Sequence, residues 1–276
     1  MDNDLDYDEI EKLIKAFVEK ARQELNERWA KWPIDLSQRE LYEVVGALLA
    51  RQVTLARQLA ECPQLWNGHI APVLLRAMAD VYISLAWVLE DPLDRSQKFV
   101  FYGLGQAKLQ LEHRKAQIVD REPTPEEKRL LDASERWINS QRFTFLTEVN
   151  IGSWSGITIR QMAEEAKCID FYNYVYTPFS ACAHSMWHHV ARYNLKQCNN
   201  PLHQYHQVPD DPEFPFDPYN LYLAAKYLEK TFSAFDKKFA VNITSPSAYD
   251  VLCDGLDNLF KEAKGTRENT TGSETA

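Results

Sequence analysis

The sequence predicts an all-α fold: a single multi-helix bundle with an apolar central helix and a long helical hairpin. Three observations carry this expectation. Only nine glycines occur in 276 residues, and long stretches lack both Gly and Pro, which disfavours a turn-rich β architecture. Apolar residues recur at three- and four-residue spacing along most of the chain. One segment, 70–90 (IAPVLLRAMADVYISLAWVLE), is apolar almost all round, as a helix is when other helices or lipid surround it.

The elements follow in order. A first helix is expected over about 8–28, with Ile10, Leu13, Ile14, Phe17, Ala21 and Leu25 on one stripe and Asp4, Asp6 and Asp8 at its positive end. Pro33 breaks the chain. Ser37, with Glu40 three residues on, reads as a capping box for a second helix that ends near Cys62-Pro63. The apolar segment 70–90 is read as the buried centre of the bundle. Its length permits a membrane span, but Arg76 and Asp80 lie inside it and no positive flank accompanies it. Two long polar helices, meeting at Thr124-Pro125 (a cap and a first-turn proline), form the hairpin at about 93–148. The resulting division is an N-terminal helix (1–36), a helical core (37–198), a Pro-rich connection (199–218), a C-terminal helical pair (219–263) and a disordered tail (264–276).

Charge and cysteine usage narrow the function classes. The net charge of −9 repels nucleic-acid phosphate unless a local basic cleft overrides it. Five scattered cysteines with no C-x-x-C pair make neither a disulfide framework nor a zinc ribbon. The acidic start (MDNDLDYDEI) is unlike a signal or transit peptide, so a cytoplasmic location with no membrane partner is expected. Gly-rich phosphate loops and a G-x-S-x-G elbow are absent, and no cofactor is expected.

Two segments hold candidate chemistry. Arg76 and Asp80, at i and i+4, share a face of the apolar helix. Such a pair is either a structural ion pair that fixes register or a polar site at the centre of a bundle. In 169–194 (IDFYNYVYTPFSACAHSMWHHVARYN), Tyr172, Tyr176, Ser180, His184 and His188 recur every four residues. On one α-helix that row drifts by about 40° per step, so three neighbours share a face but five do not. Pro178 either kinks the helix or opens a new one capped by Thr177. His184 with His188, and Cys198 with His203 and His206, are possible metal ligands. Each set lacks a full complement of ligands, and no metal is assigned.

These residues carry a family resemblance. LLRAMADVYISLAWVLEDP, then Trp154 ahead of IRQMAEEA, then FYNYVYTPFSACAH, together resemble a bacterial domain of unknown function, number 5677, over roughly 40–195. Arg76, Asp80, Tyr172, Tyr176, Ser180 and His184 match the positions of that family's pattern, which more often has Glu at position 80. The family is in turn similar to HEPN-type helical proteins, many of them ribonucleases of phage-defence and toxin systems. Those nucleases carry an Arg ahead of a His on one helix. Here the corresponding positions hold Thr177, Pro178 and Phe179, so Arg76 would supply the cation from a neighbouring helix. The resemblance implies a metal-independent ribonuclease with His184 as general acid/base, Arg76 on the phosphate and Asp80 orienting one of them. Tyr172, Tyr176, Ser180 and Trp154 would position RNA or a small phosphorylated ligand. The alternative is a non-catalytic interaction or ligand-sensing module with a structural Arg/Asp/His network. In that case the 93–148 hairpin would meet a protein partner or a second copy.

Overall fold

The computed structural model describes residues 7–141 and 154–271. The expected end of the hairpin (142–148), most of the 149–157 loop and residues 272–276 lie outside them. Among the described residues the fold is all-α apart from one two-stranded sheet.

The centre is α3 (Ala71–Glu90). Leu75, Met78, Ala79, Ile83, Leu85 and Val88 on it are fully enclosed. Around it pack α2 (Arg39–Ala60), α4 (Pro92–Gln117), α6 (Ile159–Glu165), α8 (Thr177–Ala183) and α10 (Tyr219–Phe239). It is the one helix among the described residues long and apolar enough to cross a membrane, and most of it is buried inside the protein. Its apolar circumference is thus matched by helices on several sides. Gln52 of α2 ties the centre together. Its buried amide donates to the Met78 carbonyl of α3 (3.3 Å) and to Tyr227 O and Thr231 Oγ1 of α10 (3.3 and 3.0 Å).

A second layer consists of α1 (Tyr7–Lys31), lying against α2 and α11 (Ala248–Thr271). Arg28 of α1 is fixed there. Its Nε and one terminal nitrogen donate to the two oxygens of Asp236 (2.9 and 2.7 Å), the other nitrogen donates to Glu24 (3.0 Å), and Phe232 lies 4.0 Å beneath it. The second Glu24 oxygen accepts the Ala248 N–H that opens α11 (2.7 Å). One buried ion cluster therefore joins α1, α10 and α11.

Several local expectations are corrected. Ser37 does not cap α2. Asp35 accepts the Ser37 N–H and hydroxyl and starts a 3₁₀ turn (Leu36–Gln38), because a carboxylate two residues upstream outcompetes the hydroxyl. The connection 199–218 is not wholly irregular: β2 (Gln207–Pro209) pairs antiparallel with β1 (Leu195–Gln197), in register Lys196 to Val208. Helix α11 runs on to Thr271, into the segment expected as a tail, since elongating a packed helix costs little once it is nucleated. The Thr124 capping box at the start of α5 (Pro125–Asn139) forms as expected. The hairpin projects only in part, because the α4 side chains Leu104 and Leu111 are buried and α4 packs on α2 and α3.

Candidate functional site

The site lies where the 169–183 segment crosses α3. That segment is one continuous helix of three parts: α7 (Ile169–Phe171), a π turn (Tyr172–Tyr176) and α8. The Thr177 N–H reaches back to Tyr172 O, five residues away. Pro178 therefore neither breaks the helix nor sits behind a Thr177 cap. Thr177 is helical (φ −64°, ψ −47°), and the wide turn makes room for the proline ring against the preceding carbonyls. The wide turn also changes the phase of the four-residue row. Four residues overshoot an α turn but fall short of a π turn, so the two drifts offset each other. Tyr172, Tyr176 and Ser180 end on one face.

That face meets Arg76. The Arg76 Nε donates to Ser180 Oγ (2.7 Å), which itself donates to Tyr176 O (2.7 Å). A terminal guanidinium nitrogen donates to Asp80. The Tyr176 ring covers the guanidinium at 3.2 Å, and Tyr172 stacks on Tyr176 at 4.8 Å. Only 11 % of the Arg76 side chain reaches solvent, against 43 % for Asp80. Desolvation pushes the Asp80 carboxyl up from its ordinary value, while Arg76 and, more weakly, His184 pull it down. Burial and then the Asp80 charge raise the Tyr176 hydroxyl.

Arg76, Asp80, Tyr172, Tyr176 and Ser180 are thus brought together. His184 stands at the exposed end of α8, near enough for its charge to act weakly on Asp80 but without a hydrogen bond to it among those the structure records. The helix stops there. Ser185 adopts a left-handed φ of +49°, and α9 (Trp187–Tyr193) starts afresh. His184 and His188 therefore sit on different helices and are not an i, i+4 metal pair. Trp154 is not brought to the site. It packs edge-on against Trp87 and Phe99 (5.2 and 4.8 Å), toward the other end of α3.

The tyrosines open onto a cleft of about 640 Å³. One wall is Tyr172, Tyr176, Thr177 and Ser180, and the facing wall is His188, His189, Arg192 and Tyr193 from α9. Arg76 lies behind the first wall. Spacing along 169–194 did not reveal the second wall, although His188–Arg192 and His189–Tyr193 are i, i+4 pairs. Behind it His69 meets Tyr193 and Phe214 edge-on (5.7 and 4.6 Å between rings), and those two rings are tilted against each other at 5.3 Å. Desolvation, then the charges of His69 and His188, hold His189 below the ordinary imidazole value. Gly68 passes so close to Tyr193 that an added Cβ would lie 3.0 Å from its ring.

The profile of one family matches residues 42–201, more than half of the chain. The chain belongs to that family, a family of unknown function (DUF5677). The matched stretch holds α3, the 169–183 helix, α9 and every residue named as lining the cleft, and it leaves out α1, α10 and α11. No curated protein and no solved structure matches the chain.

Proposed function

We propose that the chain binds single-stranded RNA in this cleft and cleaves it without a metal ion, as a cytoplasmic defence or stress ribonuclease. The observation that supports the reading is the charge of the lining. Arg192 faces the cleft beside His188 and His189, and among the described residues no Asp or Glu lines it, on a chain of net charge −9. A hollow with an arginine and no carboxylate in an acidic surface favours an anionic ligand over other contacts. Tyr172 and Tyr193, which line the cleft, offer aromatic rings for bases.

In this reading Arg192 meets the phosphate. Arg76 is a positioning residue, because Asp80, Ser180 and Tyr176 already engage its guanidinium. His188 lines the cleft and His184, outside its lining, stands across the α8–α9 break; these two are the proton carriers. One takes the 2′-hydroxyl proton as that oxygen attacks phosphorus; the other protonates the departing 5′-oxygen, leaving a 2′,3′-cyclic phosphate. A second reading rests on the enclosure of Arg76: a non-catalytic module that senses a small phosphorylated ligand in the same cleft. The α4–α5 hairpin, with Leu130 and Trp137 exposed, would serve either reading as the surface for a protein partner or a second copy.

The test is incubation of purified chain with a labelled mixed-sequence oligoribonucleotide in EDTA. Binding that weakens with salt, and cleavage to cyclic-phosphate ends that is lost in His184→Ala and His188→Ala, supports the ribonuclease. Binding without cleavage turns the assignment to the sensing module. Binding unaffected by Arg192→Ala removes the cleft from both.

A further inference from the structure

A second cluster lies outside the cleft, at the tip of the β1–β2 hairpin. The loop 198–206 (CNNPLHQYH) brings Cys198, His203 and His206 together, one potential ligand atom from each lying within 4.8 Å of the others. Cys198 Sγ and His203 Nδ1 are 3.7 Å apart. Two ligands at about 2.3 Å (sulfur) and 2.0–2.1 Å (nitrogen) from one tetrahedral ion stand about 3.6 Å apart. The Asn200 N–H is directed at Sγ (3.5 Å), the kind of outer contact that a metal-bound thiolate keeps.

The loop has little else to hold it. Its large apolar side chains point outward, Leu202 being 87 % exposed and Tyr205 95 %. Tyr205 is held at a left-handed φ of +63°, a conformation that costs a non-glycine residue free energy. Turns from His203 to Asn200 and from His206 to His203, with the Cys198 N–H donating to His206 O, close the loop. The sulfur and the two imidazoles are what it turns toward a common point.

We propose that this hairpin tip binds one zinc ion through Cys198 Sγ, His203 Nδ1 and the His206 imidazole, with water in the fourth position. One thiolate and two imidazoles suit a borderline-soft divalent ion, and three protein ligands leave zinc one open position. With metal on Nδ1, the His203 Nε2 carries the proton. The Asn200 amide, whose Nδ2 now lies 3.1 Å from Nε2, turns its oxygen to accept that proton. The Leu202 N–H that Oδ1 now holds passes to water at this exposed loop. None of the three ligands lines the cleft, and His203 and His206 fall beyond the family match, so the site stands apart from the proposed RNA chemistry.

The experiment titrates the reduced, metal-stripped full chain with cobalt(II) and then displaces it with zinc(II). One ion per chain is expected, with a thiolate-to-cobalt charge-transfer band and four-coordinate d–d bands that zinc abolishes. Cys198→Ser should lose the charge-transfer band. His203→Gln and His206→Gln should each weaken binding roughly tenfold or more, a loss at least as large as outer-shell changes give. Asn200→Asp supplies a permanent acceptor for Nε2–H and should tighten binding. Circular dichroism of the variants should match the wild type, since the loop is exposed. Absence of the charge-transfer band overturns the proposal, as does undiminished cobalt affinity in a His203→Gln/His206→Gln double variant. Weaker binding in Asn200→Asp overturns the Nδ1 assignment.

Discussion

Two arginines in this protein look alike in isolation and differ in their surroundings. Arg28 and Arg76 each sit on a helix, pair with a carboxylate four residues away and lie over an aromatic ring. Arg28 is more fully closed: Glu24 is 1 % exposed, and Asp236, 21 % exposed, takes two further hydrogen bonds. Arg76 is closed only on its own side. Asp80 remains open to solvent, and the ring over Arg76 is also the wall of a cleft. Burial of a charge therefore does not distinguish a structural pair from a site. The exposure of its partners does.

The comparison can be broken most directly by truncation. Arg28→Ala leaves Glu24 buried and uncompensated and should cost about 3–5 kcal/mol in urea unfolding. Arg76→Ala should cost less, about 1–2 kcal/mol, because water can solvate Asp80. If Arg76→Ala proves the costlier of the two, the distinction fails. Within the cleft, Tyr172→Ala should weaken oligoribonucleotide binding by about 1–3 kcal/mol in fluorescence anisotropy, with little change in stability. Arg192→Ala should lower the slope of log affinity against log salt by about 0.7, the share of one phosphate on a single strand.

Gly68→Ala tests the second wall. The Tyr193 ring must give by a few tenths of an ångström, so ligand affinity should shift while α3 and the unfolding midpoint stay nearly unchanged. The smallest effect is in pH. The His189 pKa is held below 6.5, so as pH falls through 6.5 the unfolded chain takes up a proton first. Stability contributed by neutral His189 is full above 6.5 and declines as pH falls from there toward the lowered folded value. A titration of the His189 ring followed by NMR should show a midpoint below 6.5, and an anion bound in the cleft should raise it.

Much of this arrangement is legible in the sequence, and the exceptions have physical causes. The centre of the bundle could be read because α3 is apolar around its circumference, and the α5 start because Thr124, Pro125 and Glu127 each satisfy a local rule. Arg76, Asp80, Tyr176 and Ser180 were legible as four-residue rows. Their alignment was not, since nothing in YNYVY marks a π turn. The α9 wall was hidden by the left-handed Ser185, a break made without glycine. The short strands Leu195–Gln197 and Gln207–Pro209 carry no run of apolar alternation, so the hairpin that gathers Cys198, His203 and His206 had no periodic signal. The Arg28 cluster has no local signal for its third member, because Asp236 lies 208 positions away.

The π turn at Tyr172–Tyr176 holds one residue more than an ordinary turn in nearly the same rotation. Deleting one residue there would favour an ordinary turn, and because four residues of an α turn rotate the chain about as far as five residues of a π turn, Ser180 would keep nearly its bearing on Arg76. Pro178 obstructs that shorter path, because its ring would then press on the carbonyl one turn behind. The segment can therefore exchange residues more readily than it can lose one. A chain shortened by a single position here would keep the bearing of Ser180 and meet its cost at the proline ring instead.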